Sequence, residues 1–492
     1  MLTTNLISSG SSDAAGTEAN LEPDSGRTYD TNSVRVESER PYVVFPPAVT
    51  RTLAIFVALA ALAAPAASAA SPLRLGIFDG LFGQAAGDWL DRTKSVGADI
   101  VRIPIPWSAT RKPAHPTDPS DPAYSFGGSD AAIRAAVDRG LEPDVSFATA
   151  PGWAEGPHRP ADASPGSWMP DTGALHDFGV ALATRYSGHF PDPAHPGQLL
   201  PRVRYFQMWN EPNLDKYLSP QWKRTAHGYT AVAPAHYRAM LNAFYRGVHS
   251  VGTGARVVTA GTGPFGDPDP GGHRIMPLRF WRLVFQRPVR FDVLAHHPYG
   301  VRVPTSHALN ADDITAADMP KLRRLMDRTH HRQPLWATEF SYDSKPPDPN
   351  GVPAVQHARW LQEGFYVMWR ARVQVIMWFQ VADAAPDPSY AATYQSGLFL
   401  LNGKPKPAAQ GFRFPFVVAP HSGGAVAWGR APMTGVLTLE RRTRKGWKIA
   451  TSHRVAAKSV FIYRIHTPRQ TEWRARIGGQ ISLPTKLALY GH

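Results

Sequence analysis

The chain of 492 residues contains no cysteine, which excludes disulfide staples and thiolate metal sites. Long hydrophobic runs are also missing. The uncharged apolar stretch from Thr52 to Ala66 falls short of the roughly 20 residues that a membrane span needs. No Gly-x-Gly-x-x-Gly follows the first strand-like segment, which weakens a dinucleotide-binding reading. Acid is scarce in one region. Residues 402–492 hold 16 Lys and Arg but only two acids, Glu440 and Glu472, an excess as large as the net charge of the whole chain, +14. What remains is an ordinary globular composition, 43% hydrophobic and 19% charged, in a chain long enough for one large domain and a small one.

Arg51, the apolar stretch after it and the small residues Ala67-Ser68-Ala69 have the grammar of a secretory signal peptide, expected over 49–70. Residues 1–48 are polar and without periodicity, and are expected to be a disordered extension. Val49, read from an alternative start codon, would give Val49-Thr50-Arg51 as a positively charged leader. N-terminal sequencing that recovered peptides upstream of Val49 would rule this out. The expected location is outside a bacterial cell or on its wall, with no membrane span left after cleavage.

From Leu73 to Asp383 short apolar runs alternate with stretches whose apolar residues recur at three- and four-residue spacing. The strands are predicted at 73–78, 99–104, 141–147, 203–209, 255–260, 291–296, 334–338 and 373–379. Helices are predicted between them at 85–96, 130–139, 174–186, 235–251, 276–285, 311–328 and 355–371. Eight strands alternating with helices argue for a parallel sheet, and eight is the number that closes a (β/α)8 TIM barrel. An open doubly wound sheet is the competing architecture. After Asn402-Gly403-Lys404-Pro405 the pattern becomes short alternating runs with no clear helix. The expectation is a barrel over 71–401 and a basic all-β sandwich over 402–492.

Two segments stand out, Gln207-Met208-Trp209-Asn210-Glu211-Pro212-Asn213 and Trp336-Ala337-Thr338-Glu339-Phe340. Each places a glutamate at the end of a buried-strand pattern, where a carboxylate is costly unless it is paired or functional. At the C-terminal ends of barrel strands four and seven both would face one mouth, and paired carboxylates there suit a glycosidase. Asn210 is placed to hold a sugar hydroxyl or a neighbouring carboxylate. Arg102 on strand two and Tyr299 after strand six are placed to hold Glu339 ionised, while burial should raise the pKa of Glu211. Trp209, Trp378 and Trp153 offer flat faces of the kind on which sugar rings stack. His296 and His297 are adjacent and point to opposite faces of a strand, which argues against one shared metal ion.

These residues resemble glycoside hydrolase clan A, the retaining (β/α)8 enzymes in which an Asn-Glu pair ends strand four and a glutamate ends strand seven. The resemblance covers about 73–415 and implies acid/base for Glu211 and nucleophile for Glu339. It also aligns His297 and Tyr299 with the clan's strand-six His-x-Tyr, Trp378 with its strand-eight tryptophan and Arg102 with its strand-two arginine. Ala150-Pro151-Gly152-Trp153-Ala154 resembles the strand-three loop of family 39, and the overall pattern is similar to family 5. The implied activity is secreted retaining O-glycoside hydrolysis of a poly- or oligosaccharide, with no cofactor and no metal. The alternative is a sugar-binding or wall-associated protein on the same barrel that has no catalysis. The basic C-terminal region suggests an acidic wall polymer or acidic polysaccharide as a partner, rather than nucleic acid.

Overall fold

A computed structural model describes residues 72–422, 424–467 and 471–487. The disordered extension expected over 1–48 and the signal peptide over 49–70 lie outside the described residues. Eight parallel strands alternate with eight helices. The strands are β1 Arg74–Phe78, β2 Ile100–Pro104, β3 Glu142–Phe147, β4 Tyr205–Met208, β5 Arg256–Val258, β6 Leu294–His296, β7 Leu335–Ala337 and β8 Val373–Phe379. The helices are α1 Gly87–Ser95, α2 Gly127–Asp138, α3 Thr172–Arg185, α4 Ala233–Ser250, α5 Pro277–Val284, α6 Met319–Arg328, α7 Ala354–Arg370 and α8 Pro407–Arg413. In space the strands run β5-β4-β3-β2-β1-β8-β7-β6. The ring closes between β5 and β6 through the bridges Val258–Val293 and Thr262–His296. Across that seam the Thr259 side chain stands in for a backbone acceptor, taking the N–H of Ala295 at 2.9 Å. The open sheet is thereby excluded, and the fold is the TIM barrel that the alternation predicts.

The strands form because their β-branched and aromatic residues are buried on both faces. Side chains alternate. Ile100, Tyr205, Val258, Trp336, Val375 and Met377 are among those that fill the interior of the ring, while Val101, Ile103, Phe206, Ile376 and Trp378 pack under the helices. The helix predicted over 311–328 begins only at Met319. Thr315 and Asp318 make a reciprocal capping box at a short 3-10 turn, and such a box marks a helix start rather than its interior. A hairpin of Trp222–Thr225 with Gly228–Ala231, not foreseen from sequence, lies between β4 and α4.

The C-terminal strands are β9 Phe416–His421, β10 Gly424–Arg430, β11 Gly435–Thr443, β12 Gly446–Val455, β13 Val460–Ile465, β14 Trp473–Ile477 and β15 Gln480–Ile481. They make two antiparallel sheets, β9-β10-β13 and β12-β11-β14-β15. Between them lies a core that includes Leu437, Leu439, Phe461, Trp473 and Ile477. This is the expected small all-β domain, with one correction at its start. α8 lies beyond residue 401 and completes the eight βα units, with Pro407 at its first turn and Phe412 against Phe365 of α7. At seven residues it is too short for apolar periodicity to reveal it.

The two parts are joined without a linker. Trp428 of β10 is fully buried against Tyr366 and Trp369 of α7. Arg430 and Lys458 both reach Asp99 at the start of β2, at 2.5 and 2.6 Å. That is the N-terminal end of the barrel, where residues serve stability.

Candidate active site

The C-terminal ends of the parallel strands bring six of the expected residues to one place. Asn210 and Glu211 follow β4, His297 and Tyr299 follow β6, and Glu339 follows β7, while Arg102 projects inward from β2. The turn after β4 is tight. Trp209 and Glu211 both adopt positive φ, 75° and 34°, a conformation that costs a non-glycine residue of order 1–3 kcal/mol and is held only by its surroundings. Here the Glu211 N–H donates to the Gly261 carbonyl at 3.0 Å. Asn213, fully buried, donates to the Gly263 and Ile275 carbonyls and accepts from the Gly263 N–H. The second asparagine of the Trp-Asn-Glu-Pro-Asn run therefore pins the loop that carries the glutamate.

Glu339 is held by donors on both oxygens. Arg102 Nη1 donates to Oε1 at 2.7 Å and the Tyr299 hydroxyl donates to Oε2 at 2.9 Å. The guanidinium is itself fixed, with Nε donating to Ser146 Oγ at 3.0 Å, Nη2 to Asn210 Oδ1 at 3.1 Å and Cζ 4.3 Å from the centroid of the Phe78 ring. His297 bridges the two carboxylates. Its Nδ1 lies 3.0 Å from Glu211 Oε1, and its Nε2 lies 3.2 Å from Thr338 Oγ1 and 3.5 Å from Glu339 Oε1. The ligand atoms of Glu211, His297 and Glu339 all fall within 4.8 Å of one another. Both Glu339 oxygens already accept from protein donors, as a carboxylate held by hydrogen bonds does.

The electrostatics separate the two acids. Burial pushes the Glu211 carboxyl up to about 7, against the opposing pull of Arg102 and Lys216. Burial lowers His297 to about 4, so its imidazole is neutral at working pH. Asp144 sits beside Arg102 in the β2–β3 register, is fully buried, and neither of its oxygens makes a hydrogen bond. Burial raises it to about 7, partly offset by Arg102.

Several expectations need correction. Arg102, at 2% exposure with its donors engaged, and His297, at 0%, reach other site residues rather than open space. Their contacts are with Glu211, Glu339 and Asn210, and neither lines an open surface as a substrate-binding residue would. Trp378 is also at 0% and donates to the Ser396 carbonyl. Alternation along β8 turns Met377 into the barrel and Trp378 out beneath the helices, so the inward aromatic is Phe379. Trp209 is likewise sealed, its indole N–H on the Tyr217 carbonyl. Trp153 bonds the Thr110 carbonyl and lines a separate cleft of about 400 Å³ with Lys112, Asp171 and Asp177, among others. Asn210 and Tyr299 lie beside the two glutamates, Asn210 accepting from Arg102 and Tyr299 donating to Glu339. The aromatics that sequence reasoning missed are Phe78, Phe379, Tyr394 and Tyr217. Phe379 meets Tyr299 and Tyr394 edge-on, and Tyr394 is 43% exposed. Only the strand-end position of Phe78 and Phe379 signalled them. The two tyrosines sit on loops with no pattern.

No family model and no curated protein matches the chain. Among solved structures it is similar to a family 39 glycoside hydrolase from Bacteroides cellulosilyticus WH2, at 14% identity over 80% of this chain and 81% of that one, with a TM-score of 0.49. It is also similar to a GH30 endoxylanase from Clostridium papyrosolvens C71, at 11% identity over 81% and 98%, TM-score 0.48. A third likeness is to a glucosidase from Croceicoccus marinus, at 14% identity over 77% and 89%, TM-score 0.47. At such identities nothing of those proteins' substrates transfers to this chain.

Proposed function

We propose that the protein is a glycosidase that cleaves O-glycosidic bonds with retention, in the manner of the clan A enzymes its motifs resemble. The observation that carries this reading is the spacing of the two acids. Carboxylate oxygens of Glu211 and Glu339 lie within 4.8 Å of each other. Retaining chemistry needs carboxyl groups about 5–5.5 Å apart, whereas inversion leaves room for water at about 6.5–9.5 Å. In the proposed cycle Glu211, kept protonated by burial, gives its proton to the leaving oxygen. Glu339, oriented by Arg102 and Tyr299, attacks the anomeric carbon. Glu211, now ionised, takes a proton from the water that releases the sugar. The cycle uses side chains alone. The test is hydrolysis of neutral and uronic-acid polysaccharides and of aryl glycosides, with Glu339→Ala run beside the intact protein. Activity in the intact protein that the variant loses is the expected result. Equal activity in both removes Glu339 as nucleophile.

We further propose that the protein acts outside the cell and that its C-terminal sheet docks on an acidic polymer. On that sheet Arg442 and Arg474 flank the Trp447 ring at 5.4 and 4.3 Å, and Glu440 is matched by both Arg474 and Arg476. Arg441, Arg444, Lys445 and Lys448 stand exposed close by. A field of one sign attracts polyanions and is screened by salt. Adsorption to anionic wall polymers should therefore weaken steeply between low and high salt. Binding unchanged in high salt rules the docking out.

A further inference from the structure

Beside Glu211, Lys216 makes no ion pair with a carboxylate among the described residues. Lys216 lies on the pinned loop after β4, where Leu214 bonds back to the Glu211 carbonyl and Tyr217 to the Leu214 carbonyl. Its ammonium sits 5.4 Å over the Tyr217 ring, and Tyr217 in turn neighbours Asn210. It is half-buried, yet among the described residues no carboxylate oxygen comes within 4.0 Å of it. Arg102, the other cation whose charge Glu211 feels, is committed to Glu339, Asn210 and Ser146. A partly desolvated ammonium in no ion pair, with only the charge of Glu211 near it, gains when a ligand brings a carboxylate into contact.

We propose that Lys216 is a specificity-determining residue that binds the carboxylate of an acidic sugar, so that the substrate is a uronic-acid glycan rather than a neutral one. This rests on the glycosidase reading and narrows it. Burial lowers the Lys216 pKa and the Glu211 charge raises it, as expected of an ammonium poised between apolar wall and acid. The excess of base on the C-terminal sheet independently suits a polyanionic chain. A competing role for Lys216 is to tune Glu211 by its charge alone. Tuning acts equally on every substrate, whereas recognition acts only on charged ones.

The experiment compares each uronic-acid polysaccharide, such as polygalacturonate, alginate or hyaluronan, with its own carboxyl-reduced form, which keeps the linkage and removes the charge. Binding is measured with the Glu339→Ala protein, and kcat/KM with the intact one. For the polymer that fits, the acidic form should bind and react at least tenfold better than the reduced form. Lys216→Met should cut that ratio at least tenfold, chiefly through KM, and Lys216→Arg should restore most of it. A ratio near one overturns the inference. So does a Lys216→Met variant that shifts the alkaline limb of the pH profile equally on both substrates and leaves the ratio unchanged, and so does preference for a sulfated neutral glycan. Tight, charge-selective binding without cleavage by the intact protein would instead count against the glycosidase reading and leave the anion site standing.

Discussion

At the scale of single residues, the two glutamates share one pocket and differ in surroundings. Glu211 keeps 15% of its side chain exposed, enough to meet a leaving group, while burial raises its pKa to about 7. A group with a raised pKa is protonated below that value and loses its proton as pH climbs through it. If Glu211 is the acid, kcat/KM should fall by about tenfold per unit above roughly pH 7, and Glu211→Gln should remove that limb and lower kcat by about 10²–10⁴. A profile flat to pH 9 contradicts the assignment. Arg102 and Glu339 form a nearly dry ion pair, at 3% and 10% side-chain exposure. Arg102→Met leaves the carboxylate buried beside one donor fewer, so denaturant unfolding should show a loss of about 3–5 kcal/mol along with reduced activity. A variant as stable as the parent would mean that Glu339 finds another partner. Both acids were legible in the sequence, because a glutamate closing an apolar run is an anomaly with few explanations. The burial of His297 and Arg102 was not, since a side chain's exposure depends on what packs over it from distant segments.

At the scale of elements, the barrel was legible and its irregular parts were not. Strands with β-branched residues on both faces and helices with regular apolar spacing announce themselves locally. The orientation of Trp378 required the register of β8 within the ring, and the seven residues of α8 gave periodicity no room. Loop contacts are hidden in the same way. Gly261 has no obvious role in the sequence, yet a Cβ there would lie 2.1 Å from His297 Nε2. Only glycine lets the ring settle between the carboxylates. Gly261→Ala should cost about 1–3 kcal/mol by overpacking and lower activity. Gly263→Ala, where the nearest atom is a leucine methyl at 3.2 Å, should cost less. If thermal melts rank the two in the opposite order, the close fit around His297 is not what constrains this loop.

At the scale of the whole molecule, the β-domain is part of the barrel's support. Cutting the chain after Arg413 removes Trp428 from Tyr366 and Trp369 and leaves Asp99 without Arg430 and Lys458. The truncated protein should be poorly soluble or melt well below the full chain, as exposed aromatic patches and a half-buried unpaired acid require. A shortened barrel with an unchanged melting temperature would show that the two parts are independent. The direct passage from α8 into β9, over only Phe414 and Pro415, has a further consequence. Binding modules on flexible tethers raise the local concentration of substrate throughout a sphere. A sheet fixed to the barrel offers no such sphere. A polymer held on the basic strands would meet the carboxylates at a set distance, so the molecule would act as a ruler, and cleavage of a long chain would favour fragments of a few recurring lengths.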